Sequence, residues 1–130
     1  MKKLGIKKGF RAALVGEPRG FRNELEGLPD DVSFVTSVQR DLDFVLFFAR
    51  TQAELLRNFS RLAVKLVPTG MLWIAWPKKA SGVPTDLSDG VVRQIGLDAG
   101  LVDVKVCAVN EVWSGLKFVI RVKDRPRISS

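Results

Sequence analysis

The sequence predicts an α/β fold: an open, mostly parallel sheet with helical crossovers, closed at its C-terminal end by an antiparallel hairpin. Three observations predict it. Asp43–Ala49 and Met71–Trp76 are apolar stretches without alternation, the pattern of parallel strands buried on both faces. Between them, Leu55, Leu56, Phe59, Leu62, Ala63 and Leu66 recur at helical spacing. Finally, Val102–Val109 and Leu116–Val122 alternate apolar with polar residues, as strands with one wetter face do.

In chain order, Arg11–Val15 is a short apolar run ended by Gly16 and Pro18, and reads as the first buried strand. Phe21–Leu25 reads as a helical turn ended by Gly27 and Pro29. Val32–Thr36 is a second short strand after the Asp30-Asp31 turn. Asp43–Ala49 follows as a buried strand, and Thr51 with Glu54 three residues on forms a capping box for the first long helix. Arg57, Asn58, Arg61 and Lys65 take that helix's wet face, and Pro68 and Gly70 are expected to stop it. Asp43–Trp76 is thus a strand-helix-strand unit, expected to cross over with a right hand.

A second helix is expected from Thr85-Asp86 to Asp98, with Val91, Val92 and Ile95 inward. Gly90 and Gly96 weaken it, each by roughly 1 kcal/mol against alanine. Gly100 stops it. In the next strand Val102, Val104, Val106 and Ala108 are expected on one side, with Asp103, Lys105 and Cys107 on the other. Asn110–Gly115 turns the chain into the last strand. The expected organisation is one domain over residues 1–123 and a frayed basic tail over 124–130.

Composition removes several chemistries. The 130 residues contain no histidine, no tyrosine and one cysteine, Cys107. There is therefore no Ser-His-Asp triad, no histidine metal site, no phenol acid, no internal disulfide and no zinc finger. Asp30-Asp31 and Asp41 with Asp43 match no cation loop and read as turn and cap residues; Asp86 and Asp89 read as complements to a helix N-terminus. Cys107, among valines, reads as a small buried apolar residue. Lys7, Lys8 and Arg11 interrupt any secretory h-region, and no apolar run approaches the ~20 residues of a membrane span. A cytoplasmic protein is expected.

The net charge of +7 is blocked along the chain: +6 over residues 1–23, −4 over 24–60, +4 over 61–85, −3 over 86–116 and +4 over 117–130. Such blocks predict a patched surface rather than a uniform polycation. Lys2, Lys3, Lys7, Lys8 and Arg11 with Phe10 form a basic stretch that nucleic acid would contact, though no nucleic-acid-binding motif accompanies it. The plain alternative is a solvated terminus.

Parallel strands closed by an antiparallel hairpin form a Rossmann-like sheet, and the order resembles the second half of a class I methyltransferase with one strand-helix unit of the first half missing. The stretches Trp76–Leu87 (WPKKASGVPTDL) and Ala99–Val119 (AGLVDVKVCAVNEVWSGLKFV) resemble the small bacterial family called domain of unknown function 3052. That resemblance implies the fold over about Leu4 to Lys123 and supplies no catalytic residues. Against the methyltransferase pattern, the turn after the first strand is Gly16-Glu17-Pro18-Arg19-Gly20, in which Pro18 removes a donor. Thr36 and Ser37 stand where an acidic residue would hold the ribose. Both features disfavour S-adenosylmethionine.

Ligands of open α/β sheets gather beyond the carboxyl ends of the strands. Those ends hold Glu17 and Arg19, then Arg50, then Trp76, Lys78, Lys79 and Ser81. Ammonium groups and a hydroxyl near a helix N-terminus suit a phosphate or carboxylate. Trp113, between the last strands, is a stacking candidate whose plain alternative is core packing. Trp73 and Trp76, three apart in one strand, face opposite sides, with Trp73 in the core and Trp76 at the site. The leading expectation is a binder without catalytic residues, for a small anionic or nucleotide-like ligand or a partner protein. A basic nucleic-acid module and an S-adenosylmethionine-dependent methyltransferase with an atypical loop are the alternatives. No metal, cofactor or membrane association is expected, and a homo-oligomer through an edge strand stays open.

Overall fold

The computed structural model describes residues 4–21, 31–35 and 40–121. The sequence expectations for residues 22–25, 36–39 and 122–130 lie outside that range, as do Lys2 and Lys3. Among the described residues a six-stranded sheet runs in the order β2-β1-β3-β4-β6-β5. Its members are β1 (Arg11–Val15), β2 (Ser33–Phe34), β3 (Leu42–Phe48), β4 (Leu66–Pro77), β5 (Leu101–Ala108) and β6 (Trp113–Ile120). β1 pairs in parallel with β2 and β3, and β3 pairs in parallel with β4. β6 then inserts antiparallel between β4 and β5. The mostly parallel sheet with its closing hairpin is therefore the expected one.

Helices α1 (Gln52–Ala63) and α2 (Asp89–Asp98) cover one face, where Leu55, Phe59 and Val92 meet Val45, Leu72, Ile74 and Phe118 of the sheet. The opposite face buries Phe44, Leu46, Phe48 and Trp73 under Leu4, Ile6 and Phe21. Trp73 and Trp76 do fall on opposite faces. Trp73 is fully buried, and its indole N–H donates to the Leu4 carbonyl at 2.9 Å, which ties the N-terminal segment to the sheet. Asp43 serves locally, accepting the Arg11 backbone N–H at 2.9 Å.

Three boundaries differ from expectation. First, α1 ends at Ala63, and Leu66 already belongs to β4 rather than to the helix. The Lys65 carbonyl accepts the Leu42 N–H at 2.9 Å, so the chain joins the sheet there. Pro68 and Gly70 lie within β4, in an irregular stretch where Leu66 to Met71 spans the length of Leu42 to Phe44. A Cβ on Gly70 would stand 2.9 Å from the Leu42 carbonyl, which is why glycine sits in this crowded crossing. Second, α2 starts at Asp89 behind Ser88, whose hydroxyl accepts the Val91 N–H at 3.4 Å. Thr85 and Asp86 are drawn instead to the start of α1. The Thr85 hydroxyl donates to the Arg50 carbonyl at 2.7 Å, and Asp86 accepts the Gln52 N–H at 2.8 Å. Third, β2 is only two residues long among those described.

The alternation expected in β5 is overturned. Val104 and Val106 are about half exposed (53% and 51%), and Ala108 is exposed. The register explains it: Asp103 opposes Phe118, whereas Lys105 opposes Lys117, so Val104 is an extra residue in a bulge. The bulge puts Val102 and Val106 on opposite faces instead of the same one. The glycines of α2 are also unequal. A Cβ on Gly96 would fall 2.0 Å from Phe118 Cε1, while Gly90 has open space, so Gly96 is a packing requirement rather than a weakness.

Candidate functional site

The parallel strands end level. Val15 opposes Phe47, and Phe48 opposes Ala75, so the segments bearing Arg19, Arg50 and Lys78 leave a common rim. At that rim the sheet's two faces diverge, and the candidate residues are divided between them.

On the helix-bearing face lies a cleft of about 350 Å³. Its apolar wall is Trp76, Leu87 and Val106, and Lys78 and Lys79 form its basic side. Ser88 and Asp89, the N-cap and first residue of α2, stand across from them, so the positive end of the helix dipole lies beside the same space, while the Gly90 and Val91 N–H groups are held by the Asp89 carboxylate at 2.9 Å and the Ser88 hydroxyl at 3.4 Å. Trp76 is only 4% exposed and adds little accessible surface to that wall. The loop is braced from below: the Lys78 N–H donates to the Val112 carbonyl at 2.8 Å. Lys79–Ser81 forms one 3-10 turn, closed by Gly82 in the left-handed region at φ 76°.

Ser81 does not line the cleft. Its hydroxyl donates to the Lys78 carbonyl at 2.6 Å and accepts the Val83 N–H at 3.2 Å, so it works inside the loop. Trp113 lies on the opposite face, 5% exposed, with its ring edge-on to Phe48 at 5.0 Å. Core packing describes it, not stacking on a ligand in the cleft. Gly115 beside it is not a flexible joint, because a Cβ there would press on the Trp73 ring at 3.1 Å. Arg50 lies 5.0 Å over the Trp113 ring, a cation–π contact on that same face. Glu17 is half-buried and Arg19 exposed in the Gly16–Gly20 turn, and neither lines the cleft.

Trp76, Lys78 and Lys79 are thus brought together. Leu87, Ser88, Asp89, Val106 and Ser114 join them without having been expected. Ser88 carried a signal, a hydroxyl three residues before Val91 at a helix start. Val106 carried none, because its place depends on the bulge. No group of three or more metal-ligating side chains occurs among the described residues, and no described helix is long and apolar enough to cross a membrane.

The fold has counterparts among solved structures. One is an S-adenosylmethionine-dependent methyltransferase from Aquifex aeolicus, 19% identical, covering 90% of this chain and 85% of that one with a TM-score of 0.67. Another is magnesium protoporphyrin IX methyltransferase from Synechocystis with bound S-adenosylmethionine, 13% identical, covering 92% and 73% with a TM-score of 0.59. A third is the ribosomal protein L11 methylase of Lactobacillus delbrueckii subsp. bulgaricus, 12% identical, covering 92% and 73% with a TM-score of 0.59. At these identities the likeness establishes the fold. No protein-family model and no curated protein matches the chain, so the resemblance to domain of unknown function 3052 gains no support here.

Proposed function

We propose that this methyltransferase-like chain binds a small organic anion in the cleft beyond the carboxyl end of β4. One observation carries the reading: Lys78 and Lys79 share that cleft with the N-terminus of α2. Two ammonium groups beside the positive end of a helix favour a phosphate or carboxylate. The Trp76, Leu87 and Val106 wall favours an apolar or planar body attached to it. Asp89 on the far wall favours a ligand that also offers a donor, such as a hydroxyl or amine. A nucleotide-like molecule has all three parts.

S-adenosylmethionine is the second reading, favoured by the neighbours named above. Features at the order-reversal point between β1 and β3 weigh against it. In the Gly16–Gly20 turn Pro18 offers no N–H, and Glu17 and Arg19 add bulk. One flank of that point is filled by aromatic rings, with Phe21 4.7 Å from Phe48 and Phe48 5.0 Å from Trp113. These features make the turn after β1 a poorer cradle for the cofactor than a run of free N–H groups.

Isothermal titration with adenosine monophosphate, phenyl phosphate and S-adenosylmethionine tests both readings. The anion reading expects a phosphate compound to bind, and Lys78→Ala/Lys79→Ala to weaken it at least about tenfold, the loss of one charge-assisted contact. Absence of binding by both phosphates, or unchanged affinity in the double variant, overturns it. Binding of S-adenosylmethionine alone transfers the case to the second reading.

A further inference from the structure

The open apolar surface of the described residues is not spread evenly. The exposed large hydrophobic side chains include no aromatic ring: they are Leu56 on α1 and Val64 at its C-cap, then Val83, Val104, Val106 and Val112. The four valines from 83 onward belong to the segments that build and flank the cleft. Val106 is a wall residue and is 51% exposed. Val104 stands two places earlier on the same edge strand. The Val112 carbonyl accepts the Lys78 N–H at 2.8 Å, which fixes Val112 beside the basic loop. Val83 follows the Lys79–Ser81 turn, its N–H held by the Ser81 hydroxyl at 3.2 Å.

The walls of the cleft differ in what they offer a ligand. Trp76 and Leu87 are 4% and 5% exposed, so neither gives it much to lie on. A planar base stacks on an open ring face, and the ring in this lining is buried. The open apolar surface is the aliphatic one of Val106. At about 350 Å³ the cleft also lies at the small end of ligand pockets, which run from ~300 to ~1,000 Å³. A head group held by Lys78 and Lys79 leaves room there for a short body only, and a longer one must pass out over Val106. We infer that the cleft takes an anionic amphiphile: a phosphate or carboxylate head on Lys78 and Lys79, with an unbranched aliphatic chain leaving over Val106. The inference rests on the anion reading above and narrows it, replacing the planar body by a flexible chain. A free monomer is favoured over a bilayer, because the two lysines line a concave site rather than a flat face.

The test is isothermal titration of the full chain with methyl, butyl, hexyl and octyl phosphate, each below its micelle concentration. Complete burial of a methylene multiplies affinity about fourfold, and a chain lying on one open wall gains about half that free energy, or about twofold per methylene. Affinity should therefore rise about fifteenfold from butyl to octyl phosphate. Val106→Thr keeps the branched shape of the side chain, and should weaken octyl phosphate about threefold while leaving methyl phosphate unchanged. Val64→Thr, at the more exposed valine on α1, should leave the whole series unchanged. Circular dichroism melting verifies that both variants are folded, and the wild-type series needs neither. Equal affinity for methyl and octyl phosphate, with both weakened in Lys78→Ala/Lys79→Ala, overturns the chain and leaves the anion reading standing. A chain-length rise that persists in that double variant, or equal weakening of octyl phosphate by Val106→Thr and Val64→Thr, puts the chain elsewhere and also overturns it. Sedimentation with phosphatidic acid vesicles and no binding of any monomer overturns the inference and the anion reading together.

Discussion

Alanine at position 96 separates helix propensity from packing. In an open helix interior, Gly→Ala stabilises by about 1 kcal/mol. At Gly96 the new Cβ would lie 2.0, 2.4 and 2.6 Å from Cε1, Cζ and Cδ1 of Phe118. Carbon contacts settle at about 3.5–4.0 Å, so ring and helix must separate by roughly 1.5 Å. The ring has nowhere to go, because Phe118 is fully buried and stands edge-on to Phe59 at 5.2 Å, itself 1% exposed. Overpacking of this kind costs about 1–3 kcal/mol, and the displacement puts it at the upper end. After the propensity gain, a net loss of about 1–2 kcal/mol remains, or roughly 4–8 °C in Tm for a domain of this size. Gly90→Ala is the internal control. It lies in the same helix with nothing within 4 Å of its Cβ position, and should stabilise by up to about 1 kcal/mol. Thermal and urea melts of the two variants measure the difference. If both shift the same way, Phe118 does not hold α2 against the sheet, and α2 is not the fixed wall of the cleft described above.

Two further perturbations address other contacts. Burial first, then the Lys105 and Lys7 charges, lower the amine of half-buried Lys117, so its charged form is unfavourable in the fold and the unfolded chain holds the proton more tightly. Stability from this group is therefore least below its lowered pKa and recovers as pH rises toward the unfolded value of 10.5. Lys117→Met should raise Tm at neutral pH and remove the rise that otherwise comes as pH approaches 10.5 in buffered melts, where an unchanged pH profile would contradict the placement. Asp86→Ala removes the acceptor of the Gln52 N–H, a capping contact worth about 0.5–2 kcal/mol. It should also speed proteolysis between Lys79 and Ser88 relative to the rest of the chain, and equal protection would mean the Thr85-Asp86 tether is dispensable.

The sheet was legible in the sequence because its signals are local. β1 falls on Arg11–Val15 as expected, and β3 lies within a residue of the expected run, because parallel strands buried on both faces write themselves as unbroken apolar stretches. The Thr51 cap is likewise present, its hydroxyl accepting the Glu54 N–H at 3.1 Å. What sequence could not display was competition between distant partners. Thr85 and Asp86 have the chemistry of a helix start, but the exposed backbone of Arg50 and Gln52 takes them first. Leu66 continues the helical spacing, but Leu42 recruits the preceding carbonyl into the sheet. The strand-end rule placed the segments of Arg19, Arg50 and Lys78 at one rim, where the level strand ends put them. It could not tell which face each side chain would take, so Trp113 and Arg50 were grouped with a cleft they do not line.

The face assignment turns on Val104. In a regular strand with Val104 paired and no bulge, Lys105 would share the face of Asp103, which pairs with Arg93 of α2 at 2.9 Å. The bulge moves it to the other side, beside Lys117, and in the same step turns Val106 toward Leu116 and the cleft. Bulging at Val104 rather than pairing it thus supplies an apolar wall to one face and an ammonium group to the other. A strand of strict alternation would do neither: Val106 would lie on the helix-free face with Val102, and Lys105 on the helix-bearing face near Arg93. The residue types at 102–108 were never in doubt; their allocation between two surfaces is a property of register, which the partner strand decides and the strand's own sequence does not.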